Sequence, residues 1–302
     1  SLSAEEVPRP GVYLLGTDDL GRDVFARMLQ GAWVSLTVGF VAVGISVFIG
    51  IMMGGVAGYF GQHSVRVGHL LSTFLLVSGA GLMATGRILS GGILFGLAMT
   101  CILYLATAGK RGPGETRTAR EKFLRKNAVS VDTLIMRVVD IMLCFPSFFL
   151  ILTVVALLPA SIYNLMIVIG LTSWMGTTRF VRAEFLALRE QDFVAAVRAL
   201  GVGNLRIIFR HMMPNAVAPV LVSATLGIAS AILTEAGLSF LGFGVPPPNA
   251  TWGNILSDGQ NFIFDAPWLT FIPGITILVV VLAFNLFGEG LRDALNPRLR
   301  ER

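Results

Sequence analysis

Residues 192–215 read DFVAAVRALGVGNLRIIFRHMMPN, and this stretch decides the fold. Its first part predicts a short helix, because it is rich in alanine and because Asp192 stands near the start, where a carboxylate suits the helix dipole. Gly201 and Gly203 are expected to end that helix. A second apolar stretch follows, and Pro214 predicts the start of another helix. The pattern therefore predicts a short surface helix, a turn and a longer helix.

The composition around this stretch excludes a soluble protein. Of the 302 residues, 54% are hydrophobic and 14% are charged, whereas about 25% of a typical soluble domain is charged. The mean hydropathy of +0.76 also excludes a disordered chain. Cys101 and Cys144 lie in apolar runs and are predicted to be buried thiols rather than a disulfide. The chain is therefore predicted to be an all-α, polytopic membrane protein.

Seven charge-poor runs are long enough to cross a membrane as helices, a crossing that takes about 20 residues. Two of them flank the opening stretch, at 162–178 and 216–234. The other five predicted spans lie at 33–60, 69–85, 88–109, 138–158 and 270–288. A short helix between two spans also fits an interfacial helix seated on lipid headgroups.

Lysine and arginine concentrate in three segments, which predicts the orientation of the chain. Segments 110–137, 179–215 and 292–302 hold 18 of the 23 basic residues, and with seven spans all three lie on one side, which we assign to the cytoplasm. Loop 236–269, which has no Lys or Arg, and segment 1–32 are then external. The net charge of +5 therefore reflects orientation and does not indicate a nucleic-acid partner. No signal peptide is visible, and an upstream segment is expected before Ser1.

The spacing of the opening stretch resembles the cytoplasmic signature loop of ABC importer permeases. That signature is Glu-Ala-Ala, three residues, Gly, nine residues, Ile, one residue, Leu-Pro. Its positions fall here on Ala195, Ala196, Val197, Gly201, His211, Met213 and Pro214. Ala195 replaces the acidic residue and His211 replaces isoleucine. A salt bridge made by the acid in the family is therefore not expected here, and Asp192 is not assigned that role.

Three further strings narrow the resemblance to one branch of the family. They are LGTDDLGRDVFAR at 15–27, EAGLSFLGFGVPPPN at 235–249 and TWGNILSDG at 251–259. These strings are similar to the C-type (second) permease of dipeptide, oligopeptide and nickel importers. The resemblance implies a type I permease fold in a prokaryotic inner membrane. It also implies a second permease, two cytoplasmic ATPases, an external solute-binding protein and membrane lipid as partners.

In such a permease the cytoplasmic loop 179–215 couples the spans to an ATPase. The resemblance implies this role for Asp192, Ala195, Ala196, Arg198, Gly201, Arg206, His211, Pro214 and Asn215. The cargo is a dipeptide, a longer peptide, nickel or another small solute, and the resemblance does not decide among them.

The predicted architecture departs from the family between residues 62 and 130. Relatives have six spans, and the flanks of this segment are almost adjacent in them. Here we predict four parts: an external segment 1–32, a first family-like span 33–61, an inserted two-span hairpin with a basic cytoplasmic segment 62–130, and a core 131–302. The insertion is expected to be a peripheral helical hairpin, with a docking site for an extra subunit as the alternative.

The sequence contains no pattern that predicts chemistry within this chain. It has no phosphate-binding loop, no metal-ligand spacing among His63, His69 and His211, and no nucleophile–base arrangement, so we predict no enzymatic activity, metal or cofactor. A self-sufficient secondary transporter or channel is the main alternative function, and a seven-helix receptor is a third.

Three residues within the predicted spans are candidates for gating or for lining a pathway: Asp140, Pro146 and Glu235. Asp140 and Glu235 are expected near span ends, where they can reach an interface, so structural pairing or capping is the favoured explanation for both. Pro146 is expected to bend its span.

Overall fold

A computed structural model describes residues 13–61, 64–66 and 127–295, together with Leu97 and Met99. The chain divides into two compact units, one of Ser1–Gly58 with Val139–Arg302 and one of Tyr59–Val138. The predicted span at 69–85, the predicted span at 88–109 apart from Leu97 and Met99, the basic segment 110–126 and Cys101 lie outside the described residues.

The first long helix, α1, runs from Val24 to Phe60 and begins earlier than the predicted start at residue 33. Asp23 caps it, because its Oδ1 accepts a hydrogen bond from the backbone N–H of Phe25 at 2.9 Å. The predicted span 33–60 lies within this longer helix, and the bounds of the span stay a prediction. In the structure two carboxylates pair with Arg27.

The predicted span 138–158 is not one straight helix. Helix α2 (Val131–Leu143) and helix α3 (Ser147–Leu157) meet at an angle of 79°. Pro146 stands directly before α3 and has no N–H to continue the hydrogen-bond ladder, so the bend predicted there is a complete break. Cys144 lies in this break and is an exposed free thiol, which corrects the prediction that it is buried.

The remaining helices are α4 (Ile162–Arg189), α5 (Asp192–Ala199), α6 (Asn204–Phe240), α7 (Trp252–Gln260) and α8 (Trp268–Leu295). By length and composition, α1, α6 and α8 are able to cross a membrane, and the bent pair α2–α3 makes a fourth candidate. Helix α4 contains the predicted span 162–178 but is more polar. Its second half carries the charged residues Arg179, Arg182, Glu184 and Arg189, and its buried hydroxyls are those of Thr172, Thr177 and Thr178.

Close packing of α1 on α4 depends on glycines one turn apart, at Gly50, Gly54 and Gly58. A Cβ at Gly54 would lie 2.6 Å from the carbonyl oxygen of Thr178, and one at Gly58 would lie 2.5 Å from the Cβ of Phe185. Small residues spaced by four allow membrane helices to approach closely, because lipid offers no hydrophobic drive toward association. The bundle is therefore held here by backbone proximity.

The outer helix α7 is anchored on this bundle by Trp252. The indole is buried, and its Nε1–H donates to the carbonyl oxygen of Met28 on α1 at 3.2 Å. Thr251 caps α7, and the backbone N–H of Thr251 and the side chain of Asn254 complete a capping box. The segment after α6 is thereby fixed to the start of α1.

A short two-stranded ladder joins residues near the two ends of segment 62–130, which is predicted to be an insertion. Strand β1 (Ser64–Arg66) pairs antiparallel with strand β2 (Asn127–Ser130), with Ser64 opposite Ser130. The all-α prediction did not include these strands. The ladder brings the chain together within the unit that contains the insertion.

Candidate functional site

The short helix predicted within residues 192–215 is α5. It ends in the way expected of a helix that is terminated by glycine. Gly201 has φ of +75°, a left-handed conformation that favours glycine. The N–H of Gly201 bonds to the carbonyl of Arg198 at 3.0 Å, and the N–H of Val202 bonds to that of Val197 at 3.4 Å. These two bonds form a Schellman motif, which fixes the direction in which the chain leaves α5.

Helix α5 is held at one point and presents most of its surface outward. Val194 is fully buried and anchors it. Large apolar side chains around this anchor remain open: Leu200 is 81% exposed and Leu205 is 68% exposed. Apolar side chains next to a rigid, exposed helix indicate a surface that contacts another molecule.

The signature residues are placed along this surface and the helix after it. Those that are exposed are Asp192, Ala195, Ala196, Arg198, Gly201, Arg206, Pro214 and Asn215, while His211 is half-buried. Asn215 donates from Nδ2 to the carbonyl oxygen of His211 at 2.6 Å. The signature is therefore one continuous segment of chain, running over α5 and the first turns of α6.

The helix after the turn begins earlier than predicted, at Asn204 and not at Pro214. Its first turns include a π-helical segment, Ile207–Met212, before regular α-helix resumes at Met213. A π-helical turn changes the hydrogen-bond ladder next to Pro214, which cannot donate to it. The proline is thus accommodated within a continuous helix.

At the other end of the bundle, charged residues of the N-terminal string meet helix α7. Arg27 pairs with Asp18 at 2.5 Å and with Asp258 at 2.9 Å, and Arg22 pairs with Asp18 at 2.7 Å. Arg27 and Asp18 are nearly buried. Charged residues of the strings at 15–27 and 251–259 therefore form one ionic cluster. This cluster was not predicted from the sequence.

The cluster holds Asp18 in its charged form. Burial by itself raises the pKa of this carboxyl. Hydrogen bonds from the backbone and side chain of Arg22 and from Arg27, together with the charge of Arg22, outweigh burial, so the pKa of Asp18 lies below its usual value. The folded outer region therefore prefers ionised Asp18.

Glu235 is a second polar centre, and the expectation that it reaches an interface is wrong. Its side chain is fully buried. Ser35 on α1 donates from Oγ to Oε2 at 2.8 Å, and Ser239 donates to Oε1 at 2.6 Å. The two hydroxyls satisfy the carboxylate from different helices. No spacing in the sequence links Ser35 to Glu235, so only the folded chain reveals the pair.

Asp140 makes the structural pairing that its position allows. Its Oδ1 accepts from Nη2 of Arg179 at 2.6 Å, and both side chains are about half exposed. No hydrogen bond or ion pair joins Asp140 to Glu235, so the candidates for gating do not form one site. Their role in gating, like that of Pro146, stays a prediction. Among the described residues, no group of three His, Cys, Asp or Glu could hold a metal ion.

Comparison with known proteins decides the family. Residues 123–301 match the sequence model of a family described as the binding-protein-dependent transport system inner membrane component. The chain belongs to this family. The family description places this inner membrane component in a transport system, which confirms the predicted localisation.

Relatives of this inner membrane component family extend the match to almost the whole chain. The dipeptide transport system permease protein DppC of Alkalihalophilus pseudofirmus is 36% identical over 288 residues, covering 95% of this chain and 73% of that protein. The oligopeptide transport system permease protein OppC of Bacillus subtilis is 31% identical over 300 residues, covering 99% and 76%. The predicted resemblance to C-type peptide permeases is confirmed.

The fold of this family member is also confirmed. An inward-facing structure of the MetNI methionine ABC transporter matches 89% of this chain and 95% of that chain, with a TM-score of 0.53 and 13% identity. This likeness supports the ABC importer permease fold.

Proposed function

We propose that this chain is one of two permease subunits of an ATP-driven importer of di- or oligopeptides. Its relatives named as dipeptide and oligopeptide permeases support that cargo class. A second permease supplies the rest of the membrane pathway. An external solute-binding protein delivers the cargo, and two cytoplasmic ATPase subunits hydrolyse ATP, since this chain has no phosphate-binding loop.

The observation that carries the proposal is the geometry of α5. A coupling element must transmit motion, so it must be rigid and firmly joined to the spans. Helix α5 is anchored through Val194 and closed by the Schellman motif at Gly201, and it joins α4 to α6 through short turns. Its exposed alanines allow a partner to approach closely. We infer that α5 docks in a cleft of one ATPase and passes its motion to α4 and α6.

The charge distribution supports the orientation that this role requires. Segment 179–215 is one of the three segments rich in Lys and Arg, which favour the cytoplasmic side. The ionic cluster of Asp18, Arg27 and Asp258 then lies outside, on the side from which a binding protein delivers cargo. The insertion at 62–130 has no role in this proposal.

A substitution at Gly201 tests the coupling role. Gly201→Glu places a side chain on a left-handed residue, a strain of roughly 1–2 kcal/mol, and adds a charge to the docking surface. Space itself is no obstacle, because nothing lies within 4 Å of a Cβ at this position. We expect the ATPase to be lost from the purified complex and uptake to stop, while the variant still inserts into the membrane.

Gly203 offers a matched control two residues away. A Cβ there also meets nothing within 4 Å, but its φ of −64° suits any residue. We expect Gly203→Ala to keep the ATPase and to support uptake. Normal ATPase retention together with normal uptake in Gly201→Glu would contradict the assignment of α5 as the coupling helix.

A further inference from the structure

Within the bundle, a cavity of about 200 Å³ lies between α1, α4 and α6, and its wall is rich in hydroxyl groups. The hydroxyl side chains that line it are Ser46, Ser173, Thr177, Ser223, Ser230 and Thr234. The other lining residues are small or apolar, and none is charged. The cavity is smaller than a typical ligand pocket, whose volume is roughly 300–1,000 Å³. A volume this small fits one side of a transport pathway whose other side is formed by a second permease.

Two of these hydroxyls belong to residues that are largely buried, and the fold does not use them. Ser46 is 4% exposed and Thr177 is 8% exposed. Neither side chain has a hydrogen-bond partner within the part of the chain that the structure describes. Both hydroxyl oxygens are open to the cavity. Serine and threonine in helices usually bond to a carbonyl one turn earlier. Ser173 and Thr234 do so, at 2.7 Å and 2.8 Å.

Because both oxygens are open to the cavity and have no partner in the described part of the chain, a molecule that enters the cavity is able to complete their hydrogen bonds. A hydroxyl both donates and accepts a hydrogen bond. An uncharged wall of such groups matches main-chain N–H and C=O groups, which every peptide carries, and offers no counter-ion to a charged side chain. The chemistry is therefore that of a site that binds peptides irrespective of their side-chain charge.

We propose that Ser46 and Thr177, with the neighbouring hydroxyls, bind the main-chain amides of the peptide during its passage. This proposal rests on the proposed function of peptide import. It adds the position of contact and the part of the peptide that is recognised. The partner wall belongs to the second permease.

The test uses the complete complex with its binding protein, second permease and ATPases, reconstituted in proteoliposomes. Three labelled dipeptides, with neutral, acidic and basic side chains, are first shown to bind the binding protein. The test variant combines Ser46→Ala and Thr177→Val, which remove the two unused hydroxyls with little change in volume. We expect uptake of all three peptides to fall about tenfold, the effect of two lost hydrogen bonds.

Thr178→Val is the matched control. Thr178 is the next residue on α4 and is fully buried, but its Oγ1 already donates to the carbonyl of Trp174 at 3.0 Å and it does not line the cavity. We expect its uptake to stay within about twofold of the wild type. Thr177→Ser keeps the hydroxyl and is expected to transport normally, which separates loss of the hydroxyl from a fault in assembly.

Each result decides a different point. Uptake by the double variant equal to the wild type overturns the site. An equal loss in Thr178→Val overturns it as well, because the effect is then general packing. A loss confined to acidic or to basic peptides contradicts recognition through the main chain. Failure of the wild-type complex to take up any of the three peptides overturns the proposed function itself.

Discussion

Arg27 donates from Nη2 to Oδ2 of Asp258 at 2.9 Å, and this contact joins residues 231 positions apart. It connects the first turn of α1 to helix α7. Arg27 also pairs with Asp18, whose side chain is 4% exposed. Within this cluster Arg27 and Asp18 are largely shielded from solvent, so removal of Arg27 leaves a shielded carboxylate with less compensation.

Loss of Arg27 is therefore expected to destabilise the chain strongly. Arg27→Ala leaves the buried carboxylate of Asp18 with one fewer partner, and we expect the free energy of unfolding to fall by about 3 kcal/mol. Arg22→Ala is the matched control, because Arg22 pairs with the same two carboxylates but is 42% exposed; we expect it to cost at most about 1 kcal/mol. Thermal unfolding of the purified variants in detergent measures both. Equal losses in the two variants would contradict the importance of burial.

The pKa of Asp18 predicts how acid affects the outer region. Because the pKa of Asp18 is lowered in the folded chain, its ionised form contributes stability above the pKa of an unfolded aspartate, about 3.9. That contribution is lost as the pH falls through the lower, folded pKa. The melting temperature of Asp18→Asn is expected to lie below that of the wild type by a constant amount between pH 5 and pH 8 and to approach it below about pH 4. A difference that disappears between pH 5 and pH 7 would show that Asp18 is not held ionised.

Glu235 is expected to tolerate an amide but not a methyl group. Glu235→Ala leaves the hydroxyls of Ser35 and Ser239 buried without their acceptor and opens a void, at a cost of about 2–4 kcal/mol. Glu235→Gln keeps the volume, one carbonyl acceptor and a donor toward a hydroxyl that can rotate, so we expect a cost of about 1 kcal/mol. Thermal unfolding of the two variants compares them. A larger loss in the glutamine variant would indicate that the charge itself is required.

Close packing of α1 on α4 predicts opposite results for two glycines of the same helix. Gly54→Ala places a methyl group against the carbonyl oxygen of Thr178 and should push the helices apart, at a cost of about 1–3 kcal/mol. A Cβ at Gly44 meets nothing within 4 Å, so Gly44→Ala should be neutral or stabilise the helix by up to about 1 kcal/mol. Unfolding of the isolated subunit measures both. A stable Gly54→Ala variant would contradict the observed approach of the helices.

The features that were predictable from the sequence are those set by local chemistry. Helix α5 and its end at Gly201 follow from alanine content and from the tolerance of glycine for positive φ. The break before α3 follows from Pro146 for a similarly local reason. The family resemblance also depends on contiguous strings of sequence. Such strings can be recognised without knowledge of tertiary contacts.

The features that were missed depend on contacts between distant parts of the chain. The ionic cluster was not predicted because Arg27 and Asp258 are far apart in sequence. Glu235 was expected near an interface because no residue close to it in sequence predicts its hydrogen bond with the hydroxyl of Ser35. In each case tertiary contacts offset the free-energy cost of burying the charged or polar side chain.

The central claim, import of peptides by a complex driven by ATP, is tested most directly by uptake of a labelled dipeptide into proteoliposomes. The complex of both permeases and the ATPases is compared with this chain alone, with and without ATP and the binding protein. We predict accumulation only with the full complex, ATP and the binding protein together. Accumulation by this chain alone, or by the complex without ATP, would contradict the account and favour a self-sufficient transporter or channel.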